Sequence, residues 1–218
     1  MRILILGPTG RLGRILVDEA LKRGHQVNVL VSHEYRLKTD PKLLKVFEGT
    51  PLNQFIVADA IKECDAVISA LNISRTSDFP WAALRTSREF MSYSLKNILR
   101  AMVGSGVKRI VITTAWGVSE TRKDIPFWFR WLIDHSNIRY PYIDHERQEE
   151  LLKASDTDWT IVRPVGLTNS EKEKAIRVTL ANKPKPGLTI SRLNTARFIL
   201  DVLEKDLYMK QFPVISEC

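Results

Sequence analysis

The chain has 218 residues, of which 44% are hydrophobic and 27% charged, with a formal net charge of +8. This is an ordinary globular composition; it excludes a disordered or fibrous chain, and the length suits one sizeable core rather than two equal domains. Cys64 and Cys218 are the only cysteines, too few for a disulfide framework or a cysteine-based metal cluster, and both are expected as free thiols. The positive charge alone fits nucleic acid, anionic lipid or a phosphate-bearing cofactor. The basic residues are scattered, however, with no helix-turn-helix, zinc-finger or RNA-binding pattern, so no nucleic-acid partner is expected.

The first apolar run, Arg2–Leu6, is too short for a signal peptide or a membrane span, and a cytoplasmic location with no transmembrane segment is expected. It reads as a strand leading straight into Gly7-Pro8-Thr9-Gly10-Arg11-Leu12-Gly13. Leu12, Ile15, Leu16 and Ala20 then share one helical face, and Gly24 stands at the C-terminal cap position. Further strands are expected at Gln26–Val31, Leu44–Phe47, Ala66–Leu71, Arg109–Thr113 and Trp159–Val162. Their nearly unbroken Val, Ile and Leu content suits strands buried on both faces, hence a parallel sheet. Met91, Leu95, Ile98 and Met102 mark a helix ending at Gly104-Ser105-Gly106, and a third helix is expected from Ile143 to Ala154.

After Pro164 the rhythm changes. Ile176, Val178 and Leu180 alternate with Arg177 and Thr179 as in a half-exposed strand, Lys183–Gly187 is a turn, Thr195–Leu203 a helix and Phe212–Ile215 a last short strand. The expected architecture is a single α/β domain, 1–218, of Rossmann type. Its doubly wound parallel sheet has helices on both faces, and residues 164–218 form a small C-terminal lobe on the substrate side.

Glycines 7, 10 and 13 between a strand and an amphipathic helix point to a dinucleotide. The first permits the turn, the second lets a pyrophosphate approach the backbone, and the third lets helix pack on sheet. The helix N-terminus then offers unpaired N–H groups to the phosphates. At the end of the second strand, where a carboxylate would bind the ribose of NAD, stand Ser32 and His33. With Arg36 and Arg11 nearby, NADP(H) is favoured over NAD(H), against which Glu34 is the one contrary sign.

A tyrosine and lysine four residues apart would serve alcohol chemistry, but here Tyr140 precedes Asp144, Tyr142 precedes Glu146, and Pro141 precedes His145. Thr114 and His145 remain as candidate catalytic residues. The first would hydrogen-bond the carboxamide or the acceptor, and the second would donate a proton from a group titrating near neutrality; the competing reading makes Thr114 structural and His145 a solvated surface residue. Pro126–Leu132 concentrates four aromatics after the fifth strand, as a lid over a planar acceptor, a partner or membrane patch, or lid packing.

Together with Asn97–Met102, Gly106–Arg109, Thr113-Thr114-Ala115-Trp116 and Asp144-His145, the glycine turn resembles the atypical short-chain dehydrogenase/reductase superfamily. The likeness is nearest to its NAD(P)H-binding branch of the biliverdin reductase B, or flavin reductase, type, and runs from Met1 to about Phe212. The resemblance implies hydride transfer from NADPH to a flat small-molecule acceptor such as a flavin, quinone or tetrapyrrole. It assigns the pyrophosphate to Gly7, Thr9, Gly10, Arg11, Leu12 and Gly13, and the 2′-phosphate to Ser32 and Arg36. Ala70, Leu71 and Asn72 would line the cofactor, Thr113, Thr114 and Trp116 would border the nicotinamide with His145 opposite, and Pro164 and Val165 would close the site. The family pattern usually has Arg in place of Ser32 and Gly-Asp in place of Gly49-Thr50, which keeps NAD(H) as the alternative cofactor. No metal ligands are expected, and the chain is expected as a monomer or weak homodimer. The rival readings are a non-catalytic NADP(H)-binding redox regulator and an epimerase or isomerase that keeps its cofactor bound.

Overall fold

The computed structural model describes residues 1–31 and 43–218. Its elements alternate as β1 (Arg2–Leu6), α1 (Arg11–Lys22), β2 (Gln26–Val31), β3 (Leu44–Glu48), α2 (Gln54–Ala60), β4 (Ala66–Ser69), α3 (Phe90–Ser105) and β5 (Arg109–Thr113). There follow a short 3₁₀ helix (Ser119–Lys123), α4 (Phe127–Asp134), α5 (Arg139–Lys153), β6 (Asp158–Pro164), β7 (Gly166–Thr168), β8 (Ile176–Thr179), β9 (Thr189–Ser191), α6 (Arg192–Glu204) and β10 (Val214–Glu217).

Eight strands form one sheet in the order β3-β2-β1-β4-β5-β6-β10-β8. All neighbours are parallel except β10 and β8, which pair antiparallel at the edge. Order reverses at β1, with β2 on one side and β4 on the other, so the β1 turn lies at the switch point where such sheets bind ligands.

Alternate residues of one strand feed two different cores. Ile3 and Ile5 pack with Leu16, Val17 and Ala20 of α1 and with Ala196 and Ile199 of α6. Leu4 and Leu6 pack with Val57 of α2, Leu95 and Ile98 of α3 and Leu152 of α5. All four strand residues are fully buried, and each such side chain contributes about 1.5–3 kcal/mol. This double burial is why the strands read as unbroken apolar runs, and it confirms the expected Rossmann-type α/β fold.

Several boundaries differ from expectation for identifiable reasons. β4 stops at Ser69 and β6 extends to Pro164. α5 begins at Arg139, with Pro141 in its first turns where a missing N–H costs little. α2 carries too short an apolar pattern to read; Asn53 starts it by accepting from the N–H groups of Phe55 and Ile56. The aromatic connection is itself a helix, α4, entered through Pro126. Residues from 164 onward, where a C-terminal lobe is expected, continue the central sheet: β10 pairs with β6, β8 with β10, and α6 packs on α1. Only β7 and β9 form a separate two-stranded sheet. Among the described residues no helix is long and apolar enough to cross a membrane.

The tightest constraint joins α1 to β1. A Cβ on Gly13 would lie 1.9 Å from the Gly7 carbonyl oxygen, so Gly13→Ala should destabilise the protein by about 1–3 kcal/mol or more in urea unfolding. Gly24, unlike Gly13, has a positive φ, +79°, but a Cβ there would meet nothing within 4 Å, so Gly24→Ala should cost only about 1 kcal/mol. Equal costs at the two positions would refute the packing argument.

Candidate active site

A cleft of about 1140 Å³ runs along the C-terminal ends of β1, β4, β5 and β6. That exceeds the roughly 300–1,000 Å³ of a pocket for one small ligand, so the cleft has room for a second molecule beside a cofactor. Its floor is the glycine turn. Gly7 has φ of +77° and a Cβ there would lie 2.7 Å from the Ala70 carbonyl oxygen, so the turn fits against β4 only without a side chain. Gly10 caps α1 with extended backbone and no side-chain hydrogen bond. The first N–H groups of α1 have no carbonyl within the helix to bond, and they open on the cleft beside Thr9, Arg11 and Leu12. This cradle fits a dinucleotide pyrophosphate.

One end of the cleft is built by Val31, Gly49, Thr50 and Pro51, beside β2. Ser32 and Arg36, expected at this end, lie outside the described residues. Ala70, Leu71 and Asn72 line the middle, after β4.

The other end gathers Thr113, Thr114, Ala115 and Trp116 from β5, Tyr142 and His145 from α5, Pro164 and Val165 from β6, and Phe129 from α4. The structure thus brings together every described residue expected at the site except Gly13, which packs behind the turn. Of the aromatic segment, Phe129 faces the cleft and meets Tyr142 edge-on at 6.4 Å, whereas Phe127, Trp128 and Trp131 are exposed.

The hydrogen bonds at this end decide what each group can do. Thr114 donates its hydroxyl to Glu149 at 3.0 Å, so its oxygen retains only an accepting role. Glu149 is wholly buried and is gripped by Arg163 through Nε at 2.9 Å and an Nη at 2.6 Å. Burial opposes the Arg163 charge, but the hydrogen bonds to Glu149 and Glu120 raise its pKa. Removing one partner of such a pair costs about 3–5 kcal/mol, because the other charge is stranded. Thr113, by contrast, lines the cleft with a buried hydroxyl that has no partner among the described residues, a group that needs one. The Tyr142 hydroxyl donates to the Trp116 carbonyl at 3.2 Å, and burial raises its pKa; it is no proton donor for a substrate.

His145 corrects both sequence readings. It is 4% exposed, so it is no solvated surface residue. Nor does it titrate near neutrality, because burial lowers its pKa from 6.5 to about 4. Gln148 donates to its Nδ1 at 3.0 Å, which places the proton of the neutral ring on Nε2. His145 therefore offers the cleft an uncharged N–H.

A family model described as NAD(P)H-binding matches residues 7–206. The chain belongs to the NAD(P)H-binding family. It is 28% identical to the photosystem II assembly factor Ycf39 of Synechocystis over 99% of its own length, and it spans 63% of that relative. Among solved structures it superposes on a short-chain dehydrogenase/reductase from Veillonella parvula in complex with NADP, at TM-score 0.77 and 18% identity, covering 99% of this chain and 94% of the other. It also superposes on ChuY, an anaerobillin reductase from Escherichia coli O157:H7, at TM-score 0.78 and 16% identity, covering 100% and 97%. The family match and these superpositions together show an NAD(P)H-binding chain with a Rossmann-type fold.

Sequence reasoning missed the ion pair behind Thr114, for which the one signal was Arg163 set among Ile161, Val162 and Pro164 in a buried strand. It also missed Asp78 and Arg192 on the cleft, whose only marks are a loop position and a helix start.

The state of His145 has a measurable consequence. Its folded pKa lies below its unfolded value, so its contribution is complete above about pH 6.5 and is lost as pH falls toward about 4, where the unfolded chain alone binds the proton. The loss amounts to about 3 kcal/mol. Glu217, held down to about 2, acts only below its usual 4.5. Urea unfolding of His145→Asn should therefore show a flatter dependence of stability on pH between 6.5 and 4.5; an unchanged slope would mean that His145 is solvated.

Proposed function

We propose that this protein is an NADPH-dependent oxidoreductase that delivers hydride to a flat acceptor of flavin, quinone or tetrapyrrole type. The observation that carries the reading is the continuity of one cleft from the α1 amides to the unpartnered Thr113 hydroxyl and the neutral His145. Support for NADP over NAD comes from Arg36 and from Ser32 and His33, in place of a carboxylate, at the two positions that follow Val31, with Glu34 as the contrary sign.

Bound NADPH would supply the hydride. The α1 N-terminus and Arg11 would hold its pyrophosphate, and Arg36 its 2′-phosphate. Thr113 would orient the carboxamide, while Pro164, Val165 and Trp116 exclude water from the ring. His145 would donate a hydrogen bond from Nε2 to the reduced acceptor, whose anion is delocalised enough to take its proton from solvent. Alignment of two rings, rather than acid catalysis, accounts for the rate.

One observation favours a second reading, a non-catalytic NADP(H)-binding regulator: the relative Ycf39 is named for photosystem II assembly. NADPH consumption with a panel of flavins and quinones separates the two. Micromolar cofactor binding with no turnover on any acceptor would refute the enzyme. If turnover occurs, His145→Ala should slow it while leaving cofactor affinity unchanged, and the wild-type rate should show no titration near pH 6.5, since the ring is already neutral there. Arg36→Ala should weaken NADPH binding by about 1–3 kcal/mol and leave NADH nearly untouched. Equal losses for both cofactors would overturn the 2′-phosphate assignment.

A further inference from the structure

The charged side chains lining the cleft among the described residues are Arg11, Arg75, Arg85 and Arg192, with Asp78 as the one carboxylate. Arg11 and Arg192 are the first residues of α1 and α6. These helices pack side by side and run in the same direction, since Arg23 just past the far end of α1 bonds Asp201 and Glu204 at the far end of α6, at 2.7 and 2.9 Å. The first turn of a helix already carries partial positive charge, so a cation placed there is destabilising. Two arginines at neighbouring N-termini, opening on one cleft, oppose folding unless an anion faces them.

Asp78 meets that need only in part. It pairs with Arg11 through two hydrogen bonds of 2.9 and 2.7 Å, yet its side chain is 76% exposed. Its carboxyl is held below the usual range by Arg11 first, with Arg75 and Arg192 adding to the effect, so three guanidinium groups share one carboxylate. Among the described residues the Arg192 side chain bonds Asn169 Oδ1 alone, at 2.6 Å, and the Arg75 side chain bonds the carbonyls of Phe79 and Pro80 alone. Among the described residues, none of Arg75, Arg85 and Arg192 is ion-paired with a carboxylate.

Position decides whose anion this is. The α1 amides account for a pyrophosphate, and the 2′-phosphate belongs at the opposite end, after β2. Arg192 directly follows β9, which pairs with β7, and bonds Asn169 just past β7; it lines the cleft with Gly166 and Leu167, beyond the end of β6, where the second molecule would enter. We propose that the acceptor carries a phosphate or carboxylate that docks on Arg192 and Arg75 at the rim of the cleft, and that Asp78 holds this place until the anion arrives. This rests on the hydride-transfer reading above and narrows its acceptor to an anionic planar molecule.

Riboflavin and FMN test it, because they share one ring system and differ by a phosphate. Their binding to the NADP⁺-saturated protein is read from quenching of flavin fluorescence. FMN should bind tighter than riboflavin by about tenfold or more, the scale of one charge-assisted hydrogen bond, and added salt should erode the preference. Arg192→Gln should collapse the ratio toward one, and Asp78→Asn should raise it. Equal binding of the two flavins, binding of neither, or an Arg192→Gln protein that loses as much NADPH affinity as FMN affinity would overturn the proposal, the last by giving Arg192 to the cofactor. NADPH oxidation with the same pair separates this from the reaction itself. A charge preference without turnover supports the anion site and refutes hydride transfer; turnover without preference does the reverse.

Discussion

The fold and the site both depend on the contact between the backbone of α1 and the carbonyl of Gly7. With 1.9 Å between a hypothetical Gly13 Cβ and that oxygen, the helix can start where it does only because residues 7 and 13 have no side chains. The same closeness fixes where the first amides of α1 point. Gly7 in turn presses against the Ala70 carbonyl, so the turn is located by β4 as well as β1. Sheet switch point, helix start and phosphate cradle are one packing arrangement, and none can move without the others.

A second fixed point lies at the other end of the cleft. Arg163 reaches from β6 to Glu149 on α5 and to Glu120 on the 3₁₀ helix, and Glu149 collects the hydroxyls of Thr114 and Ser119. Three separate elements, a strand, a helix and a 3₁₀ turn, are joined by one buried guanidinium. A hydrophobic replacement of the whole group could be as stable, but it would not fix the end of β5 against α5, and the cleft wall is made by that register.

The sequence was most legible where a single local rule acts. Strands buried on both faces show as unbroken apolar runs, and the glycine turn shows as itself, so the Rossmann-type sheet and the tight turn after its first strand could be read directly. It was least legible where tertiary packing sets the outcome. His145 sits in the charged run Asp144-His145-Glu146-Arg147 and looks solvated, but α5 turns Asp144 and His145 inward, leaves Glu146 half-buried and turns Arg147 toward solvent. Asp144 is spent on the start of α3, where it accepts from the N–H groups of Met91 and Ser92. Helical periodicity in a short polar stretch is too weak to distinguish these faces without the partner helix. The pairing of Arg11 with Asp78 spans 67 residues, and no local pattern announces it.

The chemistry follows from which protons are already committed. A ketone reduced to an alkoxide needs a strong, well-placed acid. In this cleft the Tyr142 hydroxyl is given to a backbone carbonyl, the Thr114 hydroxyl to Glu149, and the His145 ring carries no extra proton at neutral pH. What remains among the described residues where β5, α5 and β6 meet is the Thr113 hydroxyl and one imidazole N–H, groups that can orient a polar edge but not protonate a localised oxyanion. Such a wall suits an acceptor whose reduced form spreads its charge over a ring system. The positive rim suits one whose charge is also permanent and remote from the reacting atoms, because an anion held at Arg192 fixes the ring's orientation without drawing on the few donors beside the hydride.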